Sequence, residues 1–335
     1  MAKVEAVRVL FVTSLWPDVD RPWHGTFVKT QADSLREAGI DVDVLPIRGW
    51  QGPGEYVKAC AHAARLNADS AYDVVHAHYG HGGVVGRLSL RTPLVLSYTG
   101  SDLNGKPVSD TKTTRRSRAE AWVFRRLAYL AATTITKSRE MEALLPARCR
   151  SRNHVIPNGV DLQRFRRIPK EEARARLGWP REERSVLCVG DPAKPWKGLE
   201  LAEHAAAALR ARVPDARLRV AWQVAPEEIP VWMSAADALI LPSRAEGSPN
   251  VIKEAMAMEL PIVATPVGDV PERLDGIPGC FVRPGDPEQM GEALTLAVEH
   301  GPVPEAREAA ADLSLERVAQ RVIDVYRVVL ARRRG

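Results

Sequence analysis

The strongest constraint on this 335-residue chain is a rhythm. Apolar runs of strand length alternate with amphipathic helical stretches from end to end. In the first half the runs are VRVLFVT, DVDVLPI, DVVHAHY, PLVLSYT, TTITKS and NHVIPN. In the second they are RSVLCVGD, ARLRVAWQV, ADALILPS, PIVATPV and GCFVRP. Strands alternating with helices imply right-handed crossovers and parallel sheets covered on both faces. Two such series predict an α/β chain of two doubly wound, Rossmann-like domains, residues 1–165 and 166–312. A last helix over 313–335 is expected to pack back on the first domain. Ser314 is its N-cap, and Val318, Val322, Val325 and Val329 recur at helical spacing.

In open parallel sheets, ligands bind beyond the carboxyl ends of the strands, so chemistry is sought in the strand-end loops. Composition removes several alternatives. With 45% hydrophobic and 27% charged residues, the core needs no disulfide or metal to hold it. Cys60, Cys149, Cys188 and Cys280 are too far apart for a zinc or redox motif. No run approaches ~20 apolar residues and the start lacks a signal pattern, so a cytoplasmic location is expected. The net charge of +5 fits a polyanionic partner without choosing one. No GxGxxG element occurs, and the one GxxxxGK spacing, Gly100 to Lys106, is followed by Pro107 rather than Ser or Thr, which weakens dinucleotide and NTPase readings. Nucleic-acid binding would rest on charge alone and is not expected.

The stretch SRAEGSPNVIKEAMA follows the run ADALILPS. Ser248 reads as an N-cap and Pro249 as the first residue of a helix to about Met258. Ile252, Ala255 and Met256 share its packed face, Glu254 lies off that face, and Glu246 precedes the cap. The amides of such a helix start favour an anion. Carboxylates on either side of an anion would bind hydroxyls. On spacing alone, a capped helix with solvated glutamates fits equally well.

The segment EGSPNVIKEAMAMELPIVATPVGDVPERL resembles the donor-binding signature of the retaining glycosyltransferases of family four. GTFVKTQADSLREAGIDVDVL, YDVVHAHYG, VLSYTGSDL, VIPNGVDLQRF, VGDPAKPWKGLEL and MSAADALILPSRAEGSPN fit the same family in order. The nearest likeness is to its exopolysaccharide, teichuronic-type and antibiotic-tailoring members. The resemblance implies a GT-B fold, two facing Rossmann-like domains, with the first binding acceptor and the second a nucleotide sugar. It implies that Glu246 holds the donor sugar and Glu254 the ribose. Gly247, Ser248, Pro249, Asn250 and Val251 would meet sugar and phosphates, and Lys197 would neutralise the diphosphate. The family usually has Arg where this chain has Asp191, so Lys194 is a candidate second cation. Gly25, in PWHGTF, would let backbone amides approach a phosphate, although it also fits an ordinary turn. The family histidine at the end of VLSYTGSD is replaced by Thr99, with Asp102 a partial substitute. His78, Thr99, Glu246 and Lys197 form the expected catalytic set, and Trp23, His24 and Asp102 the acceptor set, with Trp16 nearby.

His76 and His78 face the same side of a strand. His76 reads as a satisfied core residue, His78 as nearer the ligand. The triplets Asp18/Asp20 and Asp41/Asp43 do not require a metal, so neither metal nor cofactor is expected beyond the nucleotide-sugar co-substrate. The basic helix from about Arg116 to Ala132 reads first as a solvated face. It is also where contact with the inner membrane face would occur if the acceptor is lipid-linked. The implied reaction passes a sugar from a UDP-sugar to a glycan, glycolipid or small-molecule hydroxyl by front-face transfer. The alternatives are a GT-B sugar-nucleotide 2-epimerase and a non-catalytic nucleotide-sugar binder.

Overall fold

A computed structural model describes residues 7–68, 72–88, 92–105 and 114–334. Each quoted apolar run contains a strand. In the first half these are β1 (Arg8–Thr13), β2 (Asp41–Pro46), β3 (Val74–His78), β4 (Leu94–Ser97), β5 (Thr133–Thr136) and β6 (Asn153–Val155). In the second half they are β7 (Arg184–Val189), β8 (Ala216–Ala221), β9 (Ala238–Leu241), β10 (Ile262–Ala264) and β11 (Cys280–Val282). One sheet runs β2-β1-β3-β4-β5-β6, the other β11-β10-β9-β7-β8, and every pairing is parallel. The chain divides into two compact units. Among the described residues, the first holds those of 7–105 and 114–159 together with the segment from Leu315 to Arg334; the second holds Val160–Ser314.

In the first unit, β3 and β4 are buried along their whole length, as strands covered on both faces must be. One face packs Leu10, Val12, Leu96 and Phe124; the other packs Val9, Phe11, Val28 and Leu35. Val318, Val322, Val325 and Val329 of helix Leu315–Arg334 join the second of these clusters. In the second unit, Leu239, Ile252 and Met256 pack one face of the sheet, and Val186, Ile240 and Leu294 the other. At the amino-terminal edge of that sheet, buried Arg174 donates to Asp237 (2.8 Å) and to the Ala235 carbonyl (3.0 Å). Charges at that edge tie helix Lys170–Leu177 to the sheet. No helix among the described residues is long and apolar enough to cross a membrane.

Candidate functional site

Strand order reverses once in each sheet. In the second unit the chain runs from β7 to β8 on one side and then crosses to β9 on the other. The crevice of a doubly wound sheet opens at such a reversal, beyond the carboxyl ends. The loops after β7 and β9 meet there. Lys197 Nζ donates to Glu246 Oε1 at 2.7 Å, and Ser243 Oγ donates to the same oxygen at 2.9 Å. The Arg244 amide donates to the Trp196 carbonyl at 2.8 Å, which ties the two loops together. Gly198 has φ 71°, and a Cβ there would stand 2.2 Å from the Pro242 carbonyl oxygen, so only glycine lets the loops approach this closely. Thr265, just after β10, donates to the Ser243 carbonyl. A cavity of about 590 Å³ opens alongside, lined by His204, Ser243, Arg244 and Thr265 but by neither Glu246 nor Lys197.

The helix after this loop is Asn250–Ala257, one residue later than expected. Pro249 is extended (φ −67°, ψ 123°), and Ser248 does not cap it. The Ser248 hydroxyl donates instead to Asp269 Oδ2 at 2.8 Å and accepts from Lys253 Nζ at 2.8 Å. No side chain of the cap residue accepts from the first-turn amides, the arrangement an anion site needs. Gly247, Ser248, Pro249, Asn250 and Val251 therefore line one continuous turn into the helix. Glu254 projects from its second half and is only partly exposed. Burial pushes its carboxyl up to about 7, against the opposing pull of Arg164 and Lys253.

Lys194 does not join Lys197 and Glu246. Its ammonium lies 3.5 Å from Asp191, the residue that stands where the family has Arg.

In the first unit the reversal lies between β1 and β3. The loop after β1 carries Trp23, His24 and Gly25. Trp23 is 54% exposed, and His24 Nε2 lies 3.0 Å from the Ser14 carbonyl oxygen. Gly25 (φ 71°) is glycine because a Cβ would stand 2.2 Å from the Leu15 backbone. The turn reading thus explains this residue without a ligand. His76 is the satisfied core residue anticipated, bonded to Tyr326 Oη (2.6 Å) and Ser97 Oγ (2.7 Å). His78 is also wholly buried, with Nε2 2.8 Å from Gln31 Oε1. Burial, then His76 and Lys137, hold His78 well below the ordinary histidine range, so it is neutral at pH 7. Its Nδ1 has no hydrogen-bond partner among the described residues.

Thr99 is partly exposed, whereas Asp102 is fully buried. The Asp102 carboxylate accepts from the Thr99 amide at 3.1 Å and the Gly100 amide at 2.9 Å. Burial lifts it to about 6 despite those bonds. It closes its own turn and offers no exposed face to an acceptor, which corrects the expectation for that residue. Asp41 pairs with Arg8 (3.1 Å), and Asp43 accepts from Tyr72 (2.8 Å). Among the described residues, no three His, Cys, Asp or Glu side chains gather where a metal ion could sit.

Ser243, Lys253, Asp269 and Gln31 were not singled out from the sequence. Lys253 had a readable signal: Met256, Ala257 and Leu260 follow it at helical spacing, which places it on an apolar face.

A family model described as "Glycosyl transferase 4-like domain" matches residues 4–159, and one described as "Glycosyl transferases group 1" matches residues 219–300. The chain belongs to the family-four glycosyltransferases. A teichuronic acid biosynthesis glycosyltransferase of Bacillus subtilis, TuaC, is 25% identical, over 86% of this chain and 88% of the relative. Among solved structures, the sucrose-phosphate synthase of Thermosynechococcus elongatus superposes with a TM-score of 0.78 at 19% identity, covering 97% and 99% of the two chains. Anabaena HepE, solved in complex with UDP, gives 0.68 at 19% identity, covering 95% and 99%. The fold of this glycosyltransferase is therefore GT-B, each half Rossmann-like.

The raised Glu254 group has a stability consequence in this enzyme. Between the ordinary carboxylate range and about pH 7, the folded chain holds a proton that the unfolded chain has released. Stability therefore falls as pH rises through that window. Glu254→Gln is expected to raise the unfolding free energy at pH 8 by on the order of 1–3 kcal/mol and to change it little at pH 5. Denaturant titrations at both pH values check this; an equal effect at both, or destabilisation at pH 8, contradicts it.

Proposed function

We propose that this glycosyltransferase moves a sugar, with retention, from a nucleoside-diphosphate donor, UDP-sugar favoured, to an acceptor hydroxyl on a glycan, glycolipid or natural product. The observation that carries the proposal is the Lys197–Glu246 pair beside an uncapped helix start, all at one strand-order reversal. The UDP bound by the Anabaena relative supports the choice of nucleotide.

Each group has a role its chemistry allows. An ammonium has three N–H donors, and Glu246 engages one of Lys197's. The remaining two can meet a diphosphate. The Asn250 helix start adds fixed positive dipole where the leaving nucleoside diphosphate gathers charge, which is electrostatic preorganisation. Glu246 Oε2 accepts from hydroxyls of the donor sugar. Glu254 accepts from the ribose diol, and this binding favours its ionised form. Nucleotide affinity is then greatest above pH 7 and declines as pH falls through 7, where the free group takes up its proton. No carboxylate of the second unit is assigned as a covalent nucleophile, so transfer is read as front-face, the acceptor proton passing to a donor phosphate oxygen.

Glu254→Gln is expected to weaken nucleoside-diphosphate binding about tenfold and to remove its pH dependence, while Glu246→Gln lowers mainly turnover. Calorimetry with UDP, GDP, ADP and TDP, and NMR of the product anomer, check these points. If neither substitution alters donor turnover, the site assignment is wrong. An inverted anomer rejects retention, and a donor epimerised without acceptor favours the epimerase.

The acceptor proposal extends to a membrane surface. On helix Arg115–Leu127 and the turn after it, Arg115, Arg118, Trp122, Arg126 and Tyr129 fall on one exposed face. Arg126 lies over the Trp122 ring at 5.0 Å. Arginines interleaved with aromatic rings match an anionic lipid interface, at about 1 kcal/mol per basic residue. Replacing Arg115, Arg118 and Arg126 together by Glu is expected to abolish co-sedimentation with phosphatidylglycerol vesicles. Wild-type protein that does not co-sediment would reject the membrane contact.

A further inference from the structure

The donor reading above gives partners to the diphosphate and the ribose and none to the base. Glu254, the ribose group, lies about 6 Å along its helix from Asn250. The base is bonded to that ribose, so it falls within a few ångströms of Glu254. Residues 162–165 are fixed at the carboxyl end of the same helix. Arg307 Nη1 donates to the Phe165 carbonyl at 2.9 Å and to the Ala257 carbonyl, and its Nη2 donates to the Leu162 carbonyl at 3.0 Å. Asp161 Oδ1 accepts from the Gln163 amide at 3.0 Å and the Arg164 amide at 2.9 Å. Phe165 is buried in the same core as Ile252 and Met256. Arg164 is thus an exposed arginine on a firmly held backbone.

Its side chain reaches the carboxyl edge of the sheet. The guanidinium lies 5.2 Å from the centre of the Phe165 ring, and Nη2 donates to the Pro226 carbonyl. Pro226 opens the turn Pro226–Glu228 that follows β8. Against the burial that raises Glu254, Arg164 is the strongest opposing charge, so the guanidinium also stands close to the ribose group. Before that turn, Gln223 holds φ 57°, a left-handed conformation that costs a non-glycine residue energy and is concentrated at ligand sites. Holding the turn does not exhaust the arginine. A guanidinium carries five N–H donors, and among the described residues the Pro226 carbonyl is the one acceptor it engages.

We propose that Arg164 selects the nucleobase: its guanidinium donates to uracil, thymine or guanine, which carry a carbonyl oxygen on the edge that faces the major groove in a duplex, and rejects cytosine and adenine, which carry an amino group there. A carbonyl oxygen, joined by N7 in guanine, accepts from the guanidinium fork. An amino group facing the same fork leaves donors unpaired on both sides. The inference rests on the functional reading above, in which Glu254 holds the ribose. It narrows the donor to uridine, thymidine and guanosine diphosphate sugars.

Calorimetry on the full-length chain tests this with bases of matched size, UDP against CDP and GDP against ADP. Within each pair the ribose and diphosphate are shared, so any influence of Arg164 on Glu254 cancels in the ratio of affinities. In the pair that binds more tightly, wild type is expected to favour the carbonyl base at least about tenfold. Arg164→Ala is expected to cut that ratio at least about fivefold. A role confined to holding the turn after β8 would weaken all four nucleotides alike and leave the ratio standing, which overturns the proposal. So does a wild type that binds both members of each pair equally or prefers CDP or ADP. If Arg164→Ala does not fold, Arg164→Gln replaces it, with the same outcomes. Wild-type protein that binds none of the four nucleotides rejects the functional reading itself.

Discussion

Parallel pairing of β7, β9 and β10 sends the carboxyl end of each strand to the same edge of one sheet. The crossover that places β9 on the far side of β7 from β8 parts the chain at that edge. Everything assigned to the donor follows from this constraint, because the Lys197 loop and the Glu246 loop can only meet there. The ion pair does not itself hold them. With the two side chains 30% and 16% exposed, such a pair contributes about 1 kcal/mol or less. The backbone bond from Arg244 to Trp196 and the glycine contact at Gly198 set the approach, and the ion pair forms because the loops are already close.

The second unit separates its charges by edge. At the amino-terminal edge, Arg174 and Asp237 are bonded to each other and to backbone, and they fasten a helix. At the carboxyl edge, charged groups are left in less comfortable states. Glu254 is held near neutrality, and Lys253 is buried on a hydroxyl. The first unit repeats the pattern more quietly. His78 is neutral with a buried ring nitrogen, and Tyr79 just after it has φ 68°, a costly conformation for a tyrosine, beside the reversal between β1 and β3. Groups whose ionisation is disfavoured in the free protein gather where ligands reach doubly wound sheets.

The fold was legible because its signal is coarse. A buried parallel strand needs an uninterrupted apolar run, and every such run became a strand. The EGSPN segment was legible as a helix entry, and Lys197 and Glu246 were brought together although they are 49 residues apart. What sequence did not resolve were choices between near-equal local options. Ser248 reads as the cap, but the helix starts one residue later, after extended Pro249, and the Ser248 hydroxyl bonds Asp269 and Lys253. Lys194 pairs with Asp191, three residues before it, at 3.5 Å. Asp102 is expected to stand in part for the family histidine, yet the Thr99 and Gly100 amides use its carboxylate. Gly25 fits a phosphate contact or an ordinary turn, and the approach of the Leu15 backbone accounts for the turn.

The central claim is that Glu246 serves the sugar while the helix start serves the nucleotide. Calorimetry comparing a nucleoside diphosphate with the same nucleotide carrying its sugar, in wild type and Glu246→Gln, separates the two most directly. The expected result is bare-nucleotide affinity within about threefold of wild type, with the extra affinity from the sugar lost. A parallel collapse of both affinities, or a sugar contribution that survives the substitution, would contradict it.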